Sequence, residues 1–197
     1  TDFLDTAAPD DATVYSVRPV IDGREQAACD ATARGAAGFL SIKLQGDYTF
    51  QKVAIADLDG DGRYDYVIKQ PGDNIDPYEK YWKRSPDTYK LEAYRHDGRF
   101  LWRYDLGWAI ERGIWYSPLV VWDLDGDGKA EMAAKIGEGD PRDEEGKVND
   151  GPEWLAVFEG QTGRELARTP WPSRDGFANY NLASRNQMAV AYLDGKT

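Results

Sequence analysis

Two stretches of this sequence, Asp57-Leu58-Asp59-Gly60-Asp61-Gly62 and Asp123-Leu124-Asp125-Gly126-Asp127-Gly128, set three carboxylates at alternate positions of a glycine-broken loop. Side-chain oxygens at positions 1, 3 and 5 of such a loop converge on one point, and hard oxygen donors are what calcium prefers. Position 7 supplies a backbone carbonyl, so its side chain is free to vary: Arg63 in the first copy, Lys129 in the second. Position 9 is acidic again, Asp65 or Glu131. The expected calcium-binding sets are therefore Asp57, Asp59, Asp61, Arg63 and Asp65, and Asp123, Asp125, Asp127, Lys129 and Glu131. Four clustered acids repel one another without a cation. Metal binding then contributes folding free energy, so the expected role of the ions is structural.

An EF-hand would need a bidentate Glu at position 12 between two helices. Position 12 is Ile68 in one copy and Ala134 in the other, and the flanks are short apolar runs, Val53-Ala54-Ile55 and Leu119-Val120-Val121. What fits is a calcium loop bridging two β-strands, as in FG-GAP-type propeller blades. The plainer alternative is a solvated Asp-Gly turn. It explains one copy more easily than two copies matched position by position.

Other chemistry is sparse, and no residue is assigned as catalytic. His96 is the only histidine and adjoins Asp97-Gly98; an exposed turn residue is favoured there over a general base. No Ser-His-Asp triad, phosphate loop or His/Cys zinc cluster is present. The lone Cys29 forms no intramolecular disulfide. Most of the seven Trp and twelve Tyr are expected in a core, with Tyr78, Tyr81, Trp82, Trp115 and Tyr116 first in line to stack on sugar rings. The formal charge of −11 disfavours nucleic acid and anionic membranes as partners. No apolar run approaches the ~18 residues of a membrane span, and Thr1-Asp2-Phe3-Leu4-Asp5 is not a signal peptide. Loops of this kind suit the calcium concentrations outside the cytoplasm, which points to a secreted or periplasmic protein.

The elements that hold these loops repeat. The two copies lie 66 positions apart, and each is followed by an extended stretch, Tyr66-Val67-Ile68-Lys69 or Met132-Ala133-Ala134-Lys135. Downstream, residues 91–102 and 154–166 each read as strand, Gly-containing turn, strand. Four strands per unit is the count of a β-propeller blade, and the fold class expected is all-β. The expected boundaries are an N-terminal segment over 1–44 (with a strand at 37–44), a first calcium blade over 45–112, a second over 113–185, and the start of a third at 186–197. In that third unit Tyr192 stands where the first Asp would fall. A propeller closes with about four to eight blades, so other segments or another chain are expected to complete it. Insertions at 70–89 and 137–153 interrupt the units, and long loops on a rigid scaffold are where function tends to sit. The acidic second insertion reads as a solvated loop before it reads as further calcium sites.

From Gly38 to Thr197, the order of the first calcium loop, Leu91-Glu92-Ala93-Tyr94, the second loop, Gly151-Pro152-Glu153-Trp154-Leu155, Val157-Phe158-Glu159-Gly160 and Ala191-Tyr192-Leu193-Asp194-Gly195 resembles one family. It is similar to the N-terminal part of the catalytic propeller domain of rhamnogalacturonan lyases of polysaccharide lyase family 11. The resemblance implies a calcium-laden propeller acting on pectin, on a backbone of alternating rhamnose and galacturonic acid. The reaction would be β-elimination, in which a base removes the uronate C5 proton while the carboxylate is neutralised. It also implies substrate contacts at Trp115, Tyr116 and Arg185, although a His-Tyr pair of the family is replaced here by Trp115-Tyr116. For Arg185, a structural salt bridge is an equal alternative. The competing function is a non-catalytic calcium-binding propeller module for carbohydrate binding or adhesion.

Overall fold

A computed structural model describes residues 14–15, 20–21, 23–25, 32–33, 40–193 and 195. The chain divides into two compact units, 1–42 and 43–197. In the first, β1 (Val14–Tyr15) pairs with β4 (Thr32–Ala33) and β2 (Val20–Ile21) with β3 (Arg24–Glu25), both antiparallel. Cys29 lies outside the described residues, as do 37–39 of the strand expected at 37–44; residues 40–44 are not strand.

The second unit is all-β in its regular structure, apart from a 3-10 turn at Glu79–Tyr81 and the short helix α1 (Tyr180–Ala183). Its two antiparallel four-stranded sheets each run in chain order. The first holds β5 (Lys52–Ala56), β6 (Asp65–Gln70), β7 (Lys90–Tyr94) and β8 (Phe100–Asp105). The second holds β9 (Leu119–Trp122), β10 (Glu131–Gly137), β11 (Glu153–Glu159) and β12 (Glu165–Pro170). The sequence repeat is thus a structural repeat down to its irregularities. Both outer hairpins carry a register shift at the same place, between Ala93 and Tyr94 and between Val157 and Phe158. The expected third unit shows no strand over 186–193, and Asp194 lies outside the described residues.

The core lies between the sheets. Val67, Leu91, Ala93 and Trp102 of the first meet Leu119, Met132, Ala134, Ile136, Ala156 and Phe158 of the second, and Tyr104 sets an edge against Phe158 at 4.9 Å between centroids. Small alanines on β7, β10 and β11 let the sheets approach closely. The sheets also join at the Asp-rich loops, where Ala130 donates its N–H to the carbonyl of Asp57 at 2.7 Å.

Antiparallel order sorts the connections by length. Both Asp-rich loops and both tight hairpins (95–99 and 160–164) emerge at one end of the sheets. The four long connections, 71–89, 106–118, 138–152 and 171–188, emerge at the other. Cross-links tie the long connections together: Ile75 N–H to the Arg112 carbonyl at 3.1 Å, Val148 N–H to Glu111 at 2.7 Å, and the Trp82 indole to the Glu145 carbonyl at 3.3 Å.

Candidate functional site

At the short-loop end each Asp-rich loop folds on its own backbone. Asp57 accepts from the N–H groups of Gly60 and Gly62, both at 2.8 Å, while Asp59 and Asp61 accept from Asp61 and Arg63. Asp123, Asp125 and Asp127 repeat the pattern toward Gly126, Gly128, Asp127 and Lys129. The glycines at positions 4 and 6 adopt positive φ in both copies, between 78° and 89°, a region that costs glycine little. As a result Asp57, Asp59 and Asp61 bring one oxygen each within 4.8 Å of one another, and so do Asp123, Asp125 and Asp127. Three convergent carboxylates are a donor set that fits calcium.

The other expected ligands are placed differently. Asp65 is fully buried and accepts from the N–H of Leu58 at 3.1 Å and of His96 at 2.7 Å, bracing loop to hairpin. Glu131 accepts likewise from Leu124 at 2.9 Å. Burial, followed by the nearby Asp125, Asp127 and Asp123, pushes Glu131 above the usual carboxylate range. The Arg63 side chain turns away to His96 Nε2 at 3.1 Å. His96 is half-buried between Arg63, Asp61 and Asp65 instead of projecting from its turn.

The two loops differ in one respect. Arg95 approaches Asp61 at 3.3 Å and Asp59 at 3.7 Å. Among the described residues, no cationic side chain pairs with Asp123, Asp125 or Asp127.

At the long-loop end two hollows of about 260 and 230 Å³ share Asn186 and Gln187. Lys52, at the start of β5, and Trp115 line one; Arg174 and Arg185 line the other. No acidic side chain lines either hollow. The Arg185 guanidinium lies 5.2 Å from the Trp115 ring centroid and donates to Asn181 and Asp76, both at 2.8 Å. Arg174 is gripped by Glu153 through two donors at 3.1 and 2.5 Å, and Glu153 also holds Lys135 at 2.8 Å. Although burial pushes Glu153 up, these cations pull it below its ordinary range. Lys52 has no ion-pair partner among the described residues. A larger hollow that shares Arg174, about 510 Å³, sets Asp150, Glu153 and Asp175 against it and so disfavours an anion.

Of the expected substrate contacts, Trp115 and Arg185 therefore meet in one trough. Tyr116 does not join them: at 1% exposure it packs against Trp82 and Tyr180 and supports the wall from behind. Sequence reasoning missed Lys52 and Arg174, because nothing in their local patterns distinguishes them from ordinary surface cations. Only the sheet topology, which brings the start of β5 beside the segment after β12, marks them out.

A family model described as "Rhamnogalacturonan lyase family 11, C-terminal domain" matches residues 41–197. It is the family's C-terminal domain; placement in the N-terminal part of a catalytic propeller is not established by the match. The chain is 34% identical over 233 aligned positions to the rhamnogalacturonan endolyase YesW of Bacillus subtilis (strain 168), covering all of this chain and 36% of the relative. It is 33% identical to the rhamnogalacturonan exolyase YesX of the same organism, covering 37% of it. The crystal structure of YesW superposes with a TM-score of 0.74 at 30% identity, over 93% of this chain and 36% of that one. A Bacillus licheniformis rhamnogalacturonan lyase gives 0.72 at the same identity and coverage. The chain thus spans about a third of the length of these relatives.

Proposed function

The chain belongs to rhamnogalacturonan lyase family 11, and from that premise we propose that it forms part of a calcium-stabilised lyase. Its substrate would be rhamnogalacturonan or a related uronate polymer, cleaved by β-elimination. The observation that carries this reading is the trough at the long-loop end. In a chain of net charge −11, its walls hold Lys52, Arg174 and Arg185 and no carboxylate.

Removing the C5 proton of a uronate places negative charge on the carbon next to its carboxylate. Cations fixed around that carboxylate stabilise the charge as it develops, and most effectively when they need not reorganise. Arg174 and Arg185 are pre-set in this way, each held by an acid, and Arg185 also lies over the Trp115 ring. Lys52 is free to swing toward the ligand. As a base, to which none of the described residues is assigned, takes that proton, the C4–O bond breaks. The uronate keeps a new C4–C5 double bond, and the departing oxygen stays on the neighbouring sugar and takes up a proton. His96 takes no part in this step, since it lies at the opposite end of the sheets.

The two sheets read as two blades of a propeller. Apolar side chains left exposed on their edge strands, Val53, Ile55, Trp122 and Leu166, fit coverage by further blades. The convergent carboxylates would hold calcium, which supplies positive charge that ties each loop to its sheet. A secreted or periplasmic setting fits that requirement.

The test is release of unsaturated product from rhamnogalacturonan by the intact protein, followed by ultraviolet absorbance. The remoteness of His96 from the trough favours a second reading, a calcium-binding propeller module for carbohydrate binding or adhesion. Binding of the polymer without product would select it.

A further inference from the structure

Lys52 and Lys69 stand directly opposite one another across the β5–β6 ladder. Side chains at opposed positions of an antiparallel pair leave the sheet on the same side, with Cβ atoms about 5 Å apart, and like charges there repel. The two lysines end in different surroundings. Lys52 is exposed and lines the trough beside Trp115 and Pro118. Lys69, at 1% exposure, is buried against the wall of that trough. Its ammonium donates to the carbonyl of Ser117 at 2.7 Å, and Ser117 lies in the chain between the lining residues Trp115 and Pro118.

This burial is uncompensated. The equivalent residue of the second sheet, Lys135, has Glu153 at 2.8 Å. Lys69 has no carboxylate partner among the described residues. The groups that face it are Lys52 from β5, the Tyr89 ring at 4.5 Å from the end of the first insertion, and the Ser117 carbonyl from the connection after β8. Burial pushes the Tyr89 phenol up, so it stays neutral. Its hydroxyl donates to the carbonyl of Asp73, whose own carboxylate pairs with Arg112. An ammonium with one carbonyl acceptor, one aromatic face and a like charge opposite gains little from staying charged. Burial first, and Lys52 second, bring Lys69 down to about 7.

We propose that the two lysines form an anion-linked proton switch: a carboxylate settling against Lys52 offsets the repulsion across the ladder, and the Lys69 amine then takes a proton from solvent and becomes an ammonium. By linkage, the same proton favours the anion, so the trough holds its anion more tightly as pH falls through neutrality. The trough's other cations, Arg174 and Arg185, are guanidinium groups that keep their charge throughout this range. Lys69 is thus a positioning residue, acting on the ligand through Lys52 and the Ser117 carbonyl. The ligand half of this linkage rests on the uronate reading of the trough. The half within the pair rests on strand register and burial.

The test is NMR of the intact protein with lysine labelled at Cε, whose carbon shift reports protonation of the amine. The Lys69 resonance is the one lost in Lys69→Met. Its titration midpoint should rise in Lys52→Gln, which removes the opposing charge at an exposed position, and should rise in wild type on saturation with galacturonate. Calorimetry with galacturonate should show binding about three- to tenfold tighter near pH 6 than near pH 8.5, the effect of one partly screened charge. In Lys69→Met this ratio should fall to about one, because the titrating group is gone. A Lys69 midpoint that ignores Lys52→Gln overturns the switch, as does a pH ratio unchanged in Lys69→Met. A midpoint that responds to Lys52→Gln in a protein that binds no galacturonate upholds the linkage within the pair and overturns the uronate reading instead.

Discussion

The Trp102 indole donates to the carbonyl of Gly160 at 2.7 Å, joining β8 of the first sheet to the hairpin of the second. This contact is possible because residue 160 has no side chain. A Cβ there would overlap the carbonyl oxygen of Ala130 and press on Leu58, both parts of the junction at the Asp-rich loops. Overpacked interiors typically lose about 1–3 kcal/mol, and here the obstacle is backbone, which yields least. Gly160→Ala is therefore expected to cost about 3 kcal/mol, at the top of that range. Trp102→Phe, which leaves the Gly160 carbonyl without its buried donor, should cost about 1–3 kcal/mol. Urea denaturation of the intact protein measures both; a Gly160→Ala variant as stable as wild type would remove the junction from the account.

The Asp-rich loops, the 66-residue repeat and the four-strand units were legible in the sequence because each is a local pattern, set by turn chemistry and strand alternation. The trough was not. Lys52 is far in the chain from Arg174 and Arg185, which share the connection after β12, and it meets them only because the antiparallel order returns the start of β5 to the end where that connection emerges. Tyr116 was misread for the same reason. Beside Trp115 it looks like a second surface aromatic, but Trp82 and Tyr180, brought in by two other segments, bury it. The expected strand at 37–44 is not seen over 40–44, where the apolar run finds no partner strand.

If the convergent carboxylates hold calcium as proposed, its removal should affect the two loops unequally. Excess chelator is expected to lower the melting temperature. In chelator, Asp125→Asn should then recover part of the loss, because it removes a repelling charge that no neighbouring cation offsets. Asp59→Asn should recover little, since Asp59 already faces Arg95 at 3.7 Å. With calcium in excess, both variants should melt below wild type. Calorimetry with and without metal gives the comparison, and identical behaviour of the two variants in chelator would contradict it.

Lys69 and Lys135 occupy equivalent places in the repeat, opposite Leu91 and Leu155. Two residues before those leucines the second sheet supplies Glu153, which pairs with Lys135 at 2.8 Å; the first supplies Tyr89, whose ring centroid lies 4.5 Å from the Lys69 ammonium. Lys69 donates to the Ser117 carbonyl at 2.7 Å. Burial, with Lys52 adding repulsion, brings its pKa down from 10.5 to about 7. Between about 7 and 10.5 the unfolded chain therefore holds more of this proton than the folded one, and stability rises with pH across that window. Below it both states are protonated and the penalty is constant. Lys69→Met is expected to stabilise the protein most below pH 7, with the advantage fading toward pH 10.5. Melting temperatures of the two proteins across this range provide the check; a constant difference would show that Lys69 does not titrate in the window.

Arg185 tests the trough most directly, because its structural and ligand-binding roles make different kinetic predictions. Its Nε and Nη2 are committed to Asn181 and Asp76, which orients the guanidinium over Trp115. If that fork served only to tie α1 to the first insertion, Arg185→Ala would lower the melting temperature and reduce activity only through the folded fraction. If the guanidinium holds a uronate carboxylate, Arg185→Ala should raise KM for the polymer by about tenfold or more, the loss expected when a charged hydrogen bond is removed. Arg185→Lys should recover little of this, because an ammonium keeps the charge but cannot span Asn181, Asp76 and a ligand together. Asp76→Asn gives the opposing test. It removes the acid that competes for the guanidinium while leaving an oxygen to orient it, so KM should fall or hold steady. A rise in KM for Asp76→Asn equal to that of Arg185→Ala would assign the pair to structure alone.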